Sequence, residues 1–131
     1  VKNIDHIFRN IETREVQVVD ARSHGRFLGK EPEPRGGIKQ GHIPGSTNLP
    51  FGELYENNSA KLASPSYIMS ALNEEGIDPE KPIISSCGSG VTAAVLFFYL
   101  KAMGFDTVSI YDGSWTEWGS RVDTKISSEV K

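Results

Sequence analysis

From Pro82 to Gly104 the sequence passes through a strand pattern, a turn and a helix pattern without a break. Pro82-Ile83-Ile84-Ser85-Ser86 is short and uncharged, with the apolar run typical of a strand buried in a parallel sheet. Cys87-Gly88-Ser89-Gly90-Val91-Thr92 follows, with two glycines and two hydroxyl residues. From about Gly90 to Met103 the residues Ala93, Ala94, Leu96, Phe97 and Leu100 make a helix that is apolar nearly all round, with Gly104 as its stop. A helix of that character packs centrally. A strand feeding such a helix points to an α/β layer fold.

The remaining segments keep the same rhythm. Val16-Gln17-Val18-Val19 and Thr107-Val108-Ser109-Ile110-Tyr111 read as strands, and Ile4, Ile7, Phe8 and Ile11 share one face of a helix. Ser64-Pro65 is an N-cap followed by proline at the first helical position, before Ile68, Met69 and Leu72, with Gly76 closing the helix. The expected architecture is a mainly parallel central sheet flanked by helices, and 131 residues suit one domain. Asp20-Ala21-Arg22, Cys87 and Asp112-Gly113-Ser114 each follow a strand, where open α/β sheets place their ligands. The polar stretch 23–48 holds Glu31-Pro32-Glu33-Pro34 and Arg35-Gly36-Gly37, and it reads as an ordered, functional surface loop rather than a helix.

Cys87 is the single cysteine, which rules out an internal disulfide or a multi-thiolate metal site and makes a reducing compartment the natural setting. Most isolated cysteines are small buried hydrophobes. The turn around Cys87 argues for more, because backbone N–H groups from Gly88 to Thr92 and the positive end of the helix dipole favour negative charge on the sulfur. Other function classes find little support. Net charge is −3 with no long run of one sign, so nothing marks a nucleic-acid or polybasic membrane surface. The longest apolar run, from Ala93 to Leu100, is far short of the roughly 20 residues that cross a bilayer. His6, His24 and His42 lack metal-ligand spacing, so no metal is expected. The first residue is Val and no signal-peptide pattern follows, so the chain is expected to be processed or part of a longer protein.

Taken together, Val18-Val19-Asp20-Ala21-Arg22, Gly25-Arg26-Phe27, Glu31-Pro32-Glu33-Pro34-Arg35, Gly41-His42-Ile43-Pro44-Gly45, Cys87-Gly88-Ser89-Gly90-Val91-Thr92 and Tyr111-Asp112-Gly113-Ser114-Trp115 resemble the rhodanese superfamily. Within it they resemble the catalytic, C-terminal domain of the mercaptopyruvate sulfurtransferases. The resemblance covers nearly the whole chain and implies one rhodanese domain, the C-terminal half of a tandem protein. It further implies that Cys87 takes sulfur from 3-mercaptopyruvate as a persulfide, releases pyruvate and passes the sulfur to a thiol acceptor such as thioredoxin, without cofactor or metal. A cytoplasmic or mitochondrial setting fits that chemistry.

By motif, Arg26 and Arg35 correspond to the family's substrate-binding arginines, whose planar forks match a carboxylate better than lysine does. The plainer reading makes each a surface arginine paired with Glu31 or Glu33. Gly88, Gly90, Val91 and Thr92 would line the sulfur's cradle, and Ser89 would contact the sulfur or the substrate. The family's proposed relay joins this serine to a His and an Asp of the preceding domain, so no histidine of this chain is assigned as a base. Asp20 and Arg22 are expected to brace the site as an ion pair, and His42 to order a turn. Asp112 to Trp115 reads as a turn capping a short last helix, with Trp115 and Trp118 packing at the rim.

Cysteine phosphatases hold phosphate over a similar loop, but they need an arginine after five intervening residues, where this chain has Ala93. Two further functions are compatible with the pattern: sulfur transfer from thiosulfate, and a non-catalytic rhodanese module that binds or regulates a partner.

Overall fold

The structure is a computed structural model that describes residues 2–34, 36–50, 64–78, 80–88, 91–105 and 107–128, and the backbone alone at Pro65, Val91 and Thr92. Its centre is a four-stranded sheet of β1 (Gln17–Asp20), β2 (Thr47–Asn48), β3 (Ile83–Ser86) and β4 (Val108–Ile110), in the order β2-β1-β3-β4. Every pairing is parallel. Around it lie α1 (Ile4–Thr13), α2 (His24–Phe27), α3 (Pro65–Glu74), α4 (Val91–Ala102) and α5 (Ser114–Trp118).

Alternation along the strands sorts the apolar side chains onto two faces. Val19, Ile83 and Val108 join Ile68, Leu72, Leu96 and Leu100 of α3 and α4 in one core cluster, to which Cys87 also belongs. Val18 and Ile84 face the other way, onto Ile7 of α1 and Trp115 and Trp118 of α5. Burial on both faces explains why β3 carries no charge.

The strand order has a functional consequence. From β1 the chain proceeds to β2 on one side, whereas from β3 it proceeds through α4 to β4 on the other. The segments leaving β1 and β3 therefore diverge, which makes their carboxyl ends the switch point at whose crevice open α/β sheets bind ligands. Asp20-Ala21-Arg22 and Cys87-Gly88 flank that crevice, held side by side by Ala21 N–H donating to the Ser86 carbonyl at 2.8 Å.

Two details depart from the sequence reading. The stretch 23–48 is not purely loop: it contains α2, capped by Ser23 Oγ accepting from Arg26 N–H at 3.3 Å, and ends in β2. One helical turn and a two-residue strand are too short to show periodicity, and β2 is held through backbone pairing with β1. Trp115 and Trp118 are at 1% and 0% exposure, in the core rather than at a rim. Their indole N–H groups donate to the carbonyls of Lys39 and Lys125, so burial leaves neither unsatisfied.

Candidate active site

Cys87 follows the last residue of β3 at 1% exposure. Its peptide group is gripped by the start of α5. Cys87 N–H donates to Ser114 Oγ at 3.1 Å, and Trp115 N–H donates to the Cys87 carbonyl at 2.8 Å. Thr116 donates twice to the Gly88 carbonyl, through N–H at 2.8 Å and Oγ1 at 2.6 Å. With the Cys87 carbonyl turned toward α5, a trans peptide turns Gly88 N–H the opposite way.

Ser114 is fully buried, adopts φ +50°, and passes its own proton to the Tyr111 carbonyl at 2.8 Å. The expected helix-capping bond is absent, since Gly113 is the N-cap and makes no side-chain bond. Ser114 holds Cys87 instead. Tyr111 in turn donates to Glu117 Oε1 at 2.7 Å, and burial, followed by that bond to a carboxylate, holds its hydroxyl well above the usual phenol range. Sequence reasoning misses this grip by Ser114 and Thr116. A left-handed serine that holds a distant backbone leaves no local pattern to read.

Beside the Cys87 turn runs a ladder of alternating charges. Arg22 Nη2 donates to Asp20 Oδ2 at 2.7 Å and to the Gly41 carbonyl at 2.6 Å, while Nη1 donates to Glu33 Oε2 at 3.1 Å. The same guanidinium lies 4.5 Å above the Trp115 ring. Glu33 continues the ladder to Arg26, accepting from Nη2 at 2.7 Å and from Nε at 3.3 Å. The Asp20, Arg22 and Glu33 side chains are at most 4% exposed, whereas Arg26 is 24% exposed at the open end.

Arg26 reaches the Cys87 turn. A Cβ placed on Gly88 would sit 2.7 Å from Arg26 Nη2, so only glycine lets the guanidinium lie where it does. Arg26 thus has an acidic partner, as the plainer reading expects, and also lies beside Gly88, the residue after Cys87. Val91 and Thr92 open α4 directly after the turn, with their side chains outside what is described. Ser89, Gly90 and Arg35 lie outside the described residues.

His42 is fully buried, its ring stacked on Phe27 at 3.7 Å with Nδ1 2.6 Å from the Phe27 carbonyl. A carbonyl only accepts, so that contact places the proton on Nδ1. Gly41, at φ +126°, brings the chain so close to Ile126 and Ser127 that a Cβ would stand 2.5 Å from Ile126 Cγ2. His6 completes the capping box of α1, and His24 contacts Asn48 Oδ1 at 3.1 Å. Among the described residues no cluster of His, Cys, Asp and Glu could hold a metal ion. Nor is any helix among them long and apolar enough to cross a membrane. Ala93, where a phosphatase would need arginine, is fully buried.

A sequence profile of the rhodanese-like domain matches residues 5–121. The chain belongs to the rhodanese family. It is 46% identical over 121 residues to 3-mercaptopyruvate sulfurtransferase of Mus musculus, covering 92% of this chain and 40% of that protein. It is 43% identical over 128 residues to thiosulfate/3-mercaptopyruvate sulfurtransferase 1, mitochondrial, of Arabidopsis thaliana, covering 98% of this chain and 34% of that one. A solved structure of an EanB variant, bearing a cysteine persulfide with ergothioneine, superimposes with a TM-score of 0.88 at 26% identity, over 99% of this chain and 32% of that one. This rhodanese domain spans no more than about two fifths of the length of either curated relative.

Proposed function

We propose that this domain is the catalytic, C-terminal half of a tandem-rhodanese sulfurtransferase that takes sulfur from 3-mercaptopyruvate and hands it to a thiol such as thioredoxin. The observation that carries this reading is Arg26 lying against Gly88, which brings a planar cation beside the nucleophile's turn at the sheet crevice. The name of the mouse relative supports the donor, and the EanB structure supports a persulfide on this fold.

In the first half-reaction the Cys87 thiolate attacks the donor's sulfur. An S–S bond forms, the donor's C–S bond breaks, and its electron pair goes to carbon as the enolate of pyruvate, which takes up a proton. Cys87 keeps the outer sulfur as a persulfide. In the second, an acceptor thiolate attacks that outer sulfur and Cys87 leaves as thiolate. Arg26, with Arg35, receives the donor's carboxylate and carbonyl, and is placed to stabilise the charge that develops on the enolate. Backbone N–H groups of Gly88, Gly90, Val91 and Thr92 stabilise negative charge on the thiolate and persulfide alike, with Ser89 at the sulfur. Asp20 and Arg22 brace the crevice and His42 orders the turn beside it. The chemistry uses no cofactor and suits a reducing compartment, cytoplasmic or mitochondrial.

The Arabidopsis relative's name favours one second reading, in which thiosulfate is also a donor. Sulfur transfer from each donor, followed with wild type and Cys87→Ser, tests the assignment. Transfer from 3-mercaptopyruvate that disappears in Cys87→Ser is expected. A chain that forms no persulfide with either donor would instead be a binding module.

A further inference from the structure

A guanidinium offers two forks to an oxyanion, the side fork of Nε with one Nη and the end fork of the two Nη groups. In Arg26 the side fork is already taken: Nε and Nη2 both donate to Glu33. Among the described residues Nη1 has no acceptor, and Nη2 is the atom that borders Gly88. Arg26 therefore presents its end fork, and Glu33 decides that it does.

Glu33 can impose this orientation because it is itself fixed. Its Oε2 also accepts from Arg22 Nη1, and Arg22 is locked by Asp20 and the Gly41 carbonyl. The segment that carries it is tied down ahead of Glu33, by Lys30 N–H donating to the Gly25 carbonyl at 2.8 Å and Gln40 Nε2 donating to the Glu31 carbonyl at 2.9 Å. With its side chain 3% exposed, Glu33 is shielded from the solvent screening that makes exposed ion pairs loose.

We infer that Glu33 is a positioning residue for the sulfur donor: by holding the side fork of Arg26 it aims the end fork at the donor's carboxylate beside Cys87. This rests on the reading of Arg26 as the carboxylate's partner. Glutamine cannot replace Glu33, because its single oxygen must leave an amide N–H facing an N–H of Arg22 or Arg26. Aspartate keeps the charge but, one methylene shorter, cannot span both guanidinium groups.

The test is a single-turnover measurement of pyruvate release from 3-mercaptopyruvate by the full-length protein. The half-saturating donor concentration is read separately from the limiting rate and from the amplitude. Loss of folded protein lowers the amplitude but leaves the half-saturating concentration alone. Glu33→Gln and Glu33→Asp are each expected to raise that concentration on the order of tenfold. In an Arg26→Ala background Glu33→Gln is expected to add nothing. An unchanged or lowered half-saturating concentration in both Glu33 variants, or an equal further rise in the Arg26→Ala background, would overturn the inference. If Arg26→Ala itself bound the donor as wild type does, the donor reading would fail, and the role of Glu33 with it.

Discussion

Replacing Arg22 by methionine removes the cation that lies between two buried carboxylates while leaving an unbranched apolar side chain in place of the arginine stem. Asp20, at 4% side-chain exposure, would then keep a backbone N–H but no cation, Glu33 would keep Arg26 alone, and the Gly41 carbonyl would lose its 2.6 Å donor. Breaking a buried pair from one side costs about 3–5 kcal/mol, because the stranded charge stays desolvated. Domains are stable by only roughly 5–15 kcal/mol, so Arg22→Met should remove a large fraction of the total. Urea denaturation followed by tryptophan fluorescence reads this directly, since Trp115 lies under the same guanidinium. With a slope of roughly 1–3 kcal/mol per molar, the midpoint should fall by about 2 M. Arg26→Ala provides the contrast. It removes the 24% exposed end of the ladder and leaves Glu33 paired with Arg22, so it should cost no more than about 1 kcal/mol. Equal midpoints for wild type and Arg22→Met would refute the view that the ladder is anchored at Arg22.

Gly88→Ala should fold nearly as well as wild type, because the obstructing atom is the end of a flexible arginine, yet it should raise the half-saturating donor concentration by displacing Arg26. Donor titration beside thermal melting separates the two effects. Ser114→Ala strands Cys87 N–H and should lower stability by about 1–3 kcal/mol. Ser114→Gly loses the same bond but suits φ +50°, so it should melt above Ser114→Ala. Tyr111 gives a pH signature: its folded hydroxyl titrates above the ordinary value of 10.0, so the unfolded chain releases the proton first. Stability from this residue is complete below about pH 10 and falls as pH rises beyond it, and a melting profile for Tyr111→Phe should be flatter there.

The parts of the fold legible in the sequence were those with many residues per element. Val16 to Val19, Pro82 to Ser86 and Thr107 to Tyr111 announce β1, β3 and β4, and the helix stops at Gly76 and Gly104 fall just beyond α3 and α4. What stayed hidden depends on segments that meet only after folding. Arg22 was legible as the ion-pair partner of Asp20, but its burial was not. It is buried because Glu33 and Trp115, from separate segments, neutralise and cover it. Thr47 and Asn48 carry no strand signal of their own. Asn48 matters through its amide, which donates to the carbonyls of Asp20 and Arg22 and holds the end of β1 in place. Cys87 was legible as a residue of interest from its turn, whereas its attachment to Ser114 and Trp115 was not.

The proposed sulfur transfer runs through Cys87. Mass analysis of the Cys87 peptide, after the full-length protein meets one equivalent of 3-mercaptopyruvate without an acceptor, tests it most directly. The peptide is expected to gain the mass of one sulfur atom as an equal amount of pyruvate appears, a thiol acceptor to remove the added mass, and Cys87→Ser to show neither. Pyruvate released by Cys87→Ser at the wild-type rate, or released by wild type while the Cys87 peptide keeps its original mass, would contradict it.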